Sequence, residues 1–419
     1  MRRTSIELFA GAGGSALGIH EAGFDHLALV ELNRHACATL RRNAAYLGLA
    51  SDRDRIVEGD VEEFDYRPFG HFVDLLAAGA PCQPFSLGGK HRGDEDGRNM
   101  FPQVFRAMRE LHPKAALLEN VRGLKRQSFR LYFDYILHQL ETPHLEPRPD
   151  ETWWDHNARL LRSRDREAIV APETTYTVVE KVLNSADFGV PQQRHRVIIV
   201  AFRNDLDVSW KHPEGEHSED ALLFQQYVTG EYWERTNLTR RPVPAALKKR
   251  LTTLRLVPPG GKAWRTLRDA FAGLPEPVDR LEDPTFQFHI GIPGARVYPG
   301  HTANALDRPA KTIKAGDHGN PGGEHILLQD DGMLRYFTVR EAARVQSFPD
   351  YYHFAGSRTE AMRQIGNAVP VLLGQVVAES VLDAISCVAV EREDLVETGV
   401  HKGDGSTFRP GAVVTPISV

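Results

Sequence analysis

Thr4-Ser5-Ile6-Glu7-Leu8-Phe9-Ala10-Gly11-Ala12-Gly13-Gly14 decides the fold. It reads as an apolar extended segment, Thr4 to Phe9, running into a glycine cluster that opens a helix over Ser15 to Ala22. Glycines at such a junction let the backbone turn tightly and come close to a ligand at a helix N-terminus. A second strand over His26 to Glu31 places Glu31 twenty residues after Gly11, the spacing expected of a carboxylate that binds ribose hydroxyls. Asp60, ending a third strand at Ile56-Val57-Glu58-Gly59-Asp60, is placed to accept from an adenine amino group. Together these residues predict a nucleoside cofactor, leaving a nicotinamide dinucleotide and S-adenosylmethionine both open.

The alternation continues outward. A helix is expected from about Asn33 to Tyr46, a fourth strand over 72–78 and a fifth over Ala115 to Glu119. Strands separated by helices of this length imply βαβ units and a largely parallel, doubly wound α/β sheet. Its ligands belong at the carboxyl ends of the strands. Residues 141–175, rich in Pro, Arg and Glu without clear period, read as a surface insertion. Val178 to Phe188 and Val197 to Phe202 return to strand-like apolarity, and 360–386 reads as one amphipathic helical run before a poorly ordered tail.

Composition is that of a globular enzyme, with 41% hydrophobic and 26% charged residues. No run is read as long enough to span a membrane and no signal-peptide core follows Met1, so a cytoplasmic protein is expected. Cys37, Cys82 and Cys387 are too few and too scattered for a disulfide framework or a zinc site. The net charge of −5 does not suggest a nucleic-acid binder. From Arg235 to Arg268, however, ten basic residues occur without one Asp or Glu, among them Arg240, Arg241, Lys248, Lys249 and Arg250. A solvated helical face usually carries both signs; a one-sign segment fits a phosphate-contacting surface.

The chemistry is carried by Gly79-Ala80-Pro81-Cys82-Gln83-Pro84-Phe85-Ser86, where flanking prolines fix a thiol at the end of a strand. Glu119-Asn120-Val121 closes the next strand, and Gln192-Gln193-Arg194-His195-Arg196 precedes another, whose alternation aims Arg194 and Arg196 the same way. A thiolate adding to carbon 6 of cytosine turns the ring into an enamine whose carbon 5 can take a methyl group from a sulfonium donor. A carboxyl group at ring nitrogen 3 and an arginine at the ring carbonyl would support that step.

These motifs, in this order, resemble those of the DNA (cytosine-5)-methyltransferases. Leu8 to Gly14 resembles the cofactor motif, Pro81-Cys82-Gln83 the nucleophile loop, and Glu119-Asn120-Val121 the ring-nitrogen motif. Gln192-x-Arg194-x-Arg196 resembles the arginine motif, Arg340 to Pro349 the segment that organises the recognition region, and Gln364 to Pro370 the last motif, which completes the cofactor site. The resemblance implies Cys82 as nucleophile, Glu119 at the ring, and Arg194 and Arg196 at the flipped base or its surroundings. It implies an S-adenosylmethionine pocket lined by Phe9, Gly11, Gly13, Gly14, Glu31, Asp60, Pro81, Met100, Asn367 and Ala368, and DNA contacts at Ser86, Arg98 and Gln192.

It further implies a Rossmann-like catalytic and cofactor-binding domain over 1–205 plus 360–390. A smaller, irregular target-recognition domain over 206–350 and a tail over 391–419 complete the division. Ser86 to Arg98 is expected to be a mobile loop that closes over the base. The family's compact members are bacterial modification enzymes, so double-stranded DNA, a companion restriction endonuclease and a monomer are implied. A methyltransferase of the same fold acting on transfer RNA is the nearest alternative. A nicotinamide dehydrogenase is the other, and it leaves Cys82, Glu119 and the arginines unexplained.

Overall fold

The computed structural model describes residues 2–70, 72–81, 99–297, 299–315 and 323–399, with only the backbone helix described from 388 onward. Cys82, Ser86 and Arg98, and with them the expected loop, lie outside the described residues.

Seven strands form the central sheet: β1 (Arg3–Leu8), β2 (Phe24–Glu31), β3 (Ile56–Glu58), β4 (Leu75–Ala78), β5 (Ala115–Val121), β6 (Tyr176–Asn184) and β7 (His195–Arg203). Their order is β3-β2-β1-β4-β5-β7-β6, with β7 antiparallel to both neighbours and the remaining pairings parallel. β4 is buried at all four positions, as expected of a parallel strand covered on both faces. Helices α1 (Gly14–Glu21), α2 (Arg34–Arg42), α3 (Phe101–Leu111), α4 (Arg130–Glu141) and α5 (Trp153–Val170) complete this half. The order reverses between β1 and β4, and a crevice at such a switch point is where α/β sheets bind ligands.

Several boundaries differ from the sequence reading for local reasons. α2 starts after Asn33, whose side chain accepts from the amides of His35 and Ala36 at 3.1 Å each, and it stops at Arg42. β6 ends at Asn184, which turns the chain into a short 3₁₀ segment over Ser185–Phe188. The insertion at 141–175 is not irregular: it contains the eighteen-residue α5, capped by Thr152. Tyr135 and His156 join α5 to α4 at 2.9 Å.

Beyond β7 lie α6 (Glu219–Phe224), α7 (Glu231–Arg235), α8 (Lys248–Leu256) and α9 (Leu267–Phe271), then α10 (Val339–Val345). The helical run expected over 360–386 is two helices, α11 (Arg358–Asn367) and α12 (Val371–Gly399). They part at Ala368-Val369-Pro370, because proline disfavours helical backbone in the residue before it. α12 also runs through Glu391 to Gly399, where a disordered tail was expected.

By length and composition alone the stretch Arg358–Cys387 is apolar enough to cross a membrane, a property that the buried core helices of globular proteins share. Here Leu373, Val377, Val381 and Ile385 are buried with Ile19, Leu75 and Leu117 in the core.

Candidate active site

β1 delivers the chain into a turn held by unusual backbone. Phe9, Gly11 and Gly13 all take positive φ, at 57°, 55° and 84°. Gly14 shows why no side chain is tolerated there: a Cβ would lie 2.3 Å from the Val369 carbonyl. The first helix of the fold is thus pressed against the bend between α11 and α12, 355 residues on in the chain.

Glu31 ends β2 and braces this turn, accepting from the Gly11 amide at 2.8 Å and the Asn33 amide at 2.7 Å. Asp60 caps the turn after β3 by accepting from the Glu62 amide at 2.9 Å. Each carboxylate retains acceptor capacity toward a cleft of about 910 Å³. Phe9, Pro81, Met100 and Asn367 also line it. Of the cofactor residues expected from sequence, Gly11, Gly13, Gly14 and Ala368 shape the surroundings rather than the wall of this cleft.

Glu119 sits near the end of β5, its Oε1 2.6 Å from Nε of Arg196 on the adjacent β7. Both side chains are largely buried, and both residues line the cleft. Asn120 is 3% exposed. It donates to the Ala80 carbonyl at 3.2 Å and accepts from the Val121 amide at 2.9 Å. That bond fixes the strand end two residues before Cys82. The motif contained Asn120, but sequence reasoning gave it no task. Arg363 and Arg34 also line the cleft and were not anticipated; Arg363 lies one residue before the quoted Gln364 motif.

Two arginine-motif residues, Arg194 and Gln192, make contacts inside the protein. Arg194 lines the cleft but is 1% exposed. It donates to the carbonyls of Ile313 and Gly366 at 2.9 Å each. Gln192, expected at the DNA, is fully buried. Its amide nitrogen donates to Gln346 Oε1 at 2.8 Å and its Oε1 accepts from the Ile313 amide at 2.8 Å. A side chain with both ends satisfied inside the protein does not reach a base. Gln346 in turn donates to the Ile365 carbonyl at 2.6 Å, so the network ties the arginine motif to the last motif. Tyr352, for which the sequence held no signal, donates to the Ala12 carbonyl at 2.7 Å and closes the back of the glycine turn.

Cys37 is buried, donates to the Glu31 carbonyl at 3.2 Å, and burial pushes its thiol up to about 12. Cys387 is exposed on α12 rather than packed, as had been expected.

The basic segment also differs in space from its appearance in the chain. Acids from outside it reach back. Arg241 pairs with Asp307 at 3.0 Å and also with Asp330, Arg268 with Asp307 and Asp330 at 2.7 and 2.8 Å, and Lys262 with Glu216 at 2.6 Å. Arg250 pairs with Asp220 and Glu219 at 2.6 and 2.9 Å, and Arg235 with Asp269. Arg240 donates to the carbonyls of Tyr227 and Val228. The guanidiniums of Arg240, Arg241 and Arg250, expected at phosphates, thus already have partners within the protein. Lys248, Lys249, Arg255 and Arg265 are exposed and pair with no acid among the described residues.

A glycine turn at the β1 switch point, with carboxylates ending β2 and β3 and a buried Glu–Arg pair on β5 and β7, defines a Rossmann-like methyltransferase fold. The model of the family described as C-5 cytosine-specific DNA methylase matches residues 3–143 and 171–383. The chain belongs to that family and is a DNA (cytosine-5)-methyltransferase.

It is 34% identical over 391 residues to the type II methyltransferase M.Eco47II of Escherichia coli, covering 90% of this chain and 78% of that protein. With M.NgoMIV of Neisseria gonorrhoeae it shares 31% identity, covering 92% and 99%. Among solved structures, the Entamoeba histolytica methyltransferase EhMeth superposes with a TM-score of 0.54 at 13% identity, covering 91% and 98%. The S. pombe Dnmt2 methyltransferase does so with a TM-score of 0.51 at 17% identity, covering 92% and 99%. The gap between the two matched segments, residues 144–170, falls in the insertion that carries α5.

Proposed function

We propose that this methyltransferase takes S-adenosylmethionine as donor, draws a cytosine out of duplex DNA and methylates its carbon 5 through a covalent adduct between Cys82 Sγ and ring carbon 6. The observation that carries this reading is the junction at the strand ends. There the Glu119–Arg196 pair faces the cleft beside Asn120, which holds Ala80 just ahead of Cys82.

The cleft fits the donor: its glycine turn admits close approach, Glu31 and Asp60 offer acceptors, and Phe9, Pro81 and Met100 offer apolar surface for a base. S-adenosylmethionine supplies an electrophilic methyl group on sulfur. Cytosine carbon 5 becomes nucleophilic only after the Cys82 thiolate adds to carbon 6. Glu119 then holds a proton or hydrogen bond at ring nitrogen 3, and Arg196 keeps that carboxyl in place. After methylation the carbon 5 proton passes to water, the C–H electron pair re-forms the ring double bond, and the carbon 6–sulfur bond breaks to release the Cys82 thiolate. The target must leave the stack, because carbon 6 of a paired base lies out of a side chain's reach.

Residues 206–350 are assigned to target recognition and 1–205 with 360–390 to catalysis. Trp233 and Leu251 centre small apolar clusters of their own. Phe337 and Phe348 instead share a core with Ala12 and Leu40, so part of the recognition region is built against the cofactor half. The phosphate-facing cations are Lys248 and Lys249 in the first turn of α8, where positive charge opposes the helix dipole and is retained at a cost. The type II names of the relatives support a modification role; a companion endonuclease and a monomeric, cytoplasmic enzyme complete the proposal.

The test is transfer of labelled methyl to duplexes carrying cytosine or 5-fluorocytosine. A covalent protein–DNA adduct on the fluorinated duplex, absent from Cys82→Ser, is expected. Methylation of cytosine with no trapped adduct would overturn the covalent route.

A further inference from the structure

Adjoining the cleft is a second, smaller cavity of about 70 Å³. Phe9, Gly79, Glu119 and Asn367 belong to the walls of both. Into the smaller one projects Glu7 of β1, a carboxyl 3% exposed whose Oε2 has no hydrogen-bond partner among the described residues. A buried acceptor left unpaired is costly, and the cost is largest if the group is charged.

The surroundings explain how it is tolerated. Ser15 of α1 is its polar neighbour, and Glu31 of β2 adds repulsion. Glu119 of β5 has its charge met by Arg196, and the Tyr352 hydroxyl also feels Glu7. α12 contributes only Leu373, Gly374 and Val377. Among the described residues no Lys, Arg or His lines the cavity. Burial accordingly pushes the Glu7 carboxyl up to about 8, so without a ligand it is protonated at neutral pH. What the site lacks is a cation.

We infer that Glu7 is the counter-charge for a sulfonium in the adjoining cleft, ionising when the methyl donor binds and remaining protonated when the demethylated product, uncharged at sulfur, takes its place. On donor binding the Glu7 O–H bond breaks, the electron pair stays on the carboxylate and the proton passes to solvent. Methyl transfer removes the positive charge, Glu7 takes a proton back, and the product loses an attraction that the donor had. Glu7 thereby favours donor over product at one site. The inference rests on the cleft being the S-adenosylmethionine site.

Isothermal titration of the full-length protein near pH 7, in two buffers of different ionisation enthalpy, counts the protons released. S-adenosylmethionine should release roughly half a proton or more beyond S-adenosylhomocysteine. Its affinity should rise about five- to tenfold from pH 6.5 to 8, while that of the homocysteine compound changes less. In Glu7→Gln both differences should collapse, and Glu7→Asp should restore part of the proton release. Equal proton counts for wild type and Glu7→Gln, with both ligands binding, would overturn the inference and leave the cofactor reading intact. No binding of either ligand to wild type would overturn both. Should Glu7→Gln fail to fold, the two ligands compared on the wild type and on Glu7→Asp still decide the matter.

Discussion

Asn120 and Glu7 are both buried polar side chains on the central sheet, and opposite physics governs them. Asn120 is satisfied: its amide spans Ala80 and Val121. Truncation in Asn120→Ala leaves the Ala80 carbonyl without its donor, so about 1–3 kcal/mol of stability should be lost. Because that bond fixes the approach to Cys82, kcat should fall further than donor affinity. Denaturant melts and steady-state kinetics on the same variant check this.

Glu7 keeps one oxygen, Oε2, without a partner among the described residues, and its raised folded value has a definite sign. Such an acid keeps its full contribution below the unfolded value of 4.5 and loses it as pH rises toward 8. Buried His26 runs the other way. Held neutral and lowered to about 4, it costs stability only as pH falls below 6.5. Between pH 6.5 and 8 Glu7 therefore acts alone of the two. The ligand-free wild type should weaken there by up to roughly 1.4 kcal/mol per pH unit relative to Glu7→Gln. Thermal melts of both proteins across that range decide it, and parallel curves would contradict the assignment. Sequence could place Glu7 on a strand. It could not show that the facing wall holds no cation, because that wall is assembled from β5, α1 and α12.

At the scale of elements, the fold rests on the first helix meeting the last two. A Cβ on Gly14 would press on the Val369 carbonyl at 2.3 Å, and one on Gly18 would meet the Val371 carbonyl at 2.5 Å. Neither contact can relax by rotating a side chain, since both neighbours are backbone. Gly14→Ala should cost about 1–3 kcal/mol and weaken donor binding, because α1 must move away from the 368–370 bend that carries Asn367. Gly260→Ala is the matched control: nothing lies within 4 Å of its Cβ, and its effect should stay within about 0.5 kcal/mol. Melting curves and donor titration of the pair test the claim.

The strand–helix alternation, the glycine turn and the carboxylates of Glu31 and Asp60 were legible because each is a local pattern. The break between α11 and α12 was partly legible, since Pro370 announces it and the apolar period runs through it. α5 was not, for its exposed face carries Trp154, Leu161 and Ile169 among arginines and blurs the helical period. The work of Gln192 and Arg194 was illegible in principle. Their partners at 313, 346 and 366 lie more than a hundred residues away.

For the whole molecule, charge is decided in three dimensions. A run of ten basic residues without an acid looks like one cationic surface on a chain of net charge −5. Folding brings Glu216, Glu219, Asp220, Asp269, Asp307 and Asp330 against half of them. A guanidinium already paired exchanges one partner for another when it meets a phosphate, and releases few counterions. Among the described residues Lys248 and Lys249 have no such partner, and they sit exposed at the start of α8. The salt dependence of DNA binding should separate the two groups. Each neutralised phosphate contributes about −0.9 to the slope of log affinity against log salt. Lys248→Gln with Lys249→Gln should reduce that slope by roughly two while leaving the melting temperature nearly unchanged. Arg241→Gln should change the slope by less than about 0.5 and instead lower stability, by leaving Asp307, whose side chain is 9% exposed, short of one of its two arginines. Fluorescence anisotropy on a labelled duplex from 50 to 200 mM salt, alongside thermal melts, measures both quantities. A slope that responds equally to Arg241 and to the two lysines would mean that the acids release their arginines to the DNA, and that the surface read from the linear sequence is the one the duplex meets.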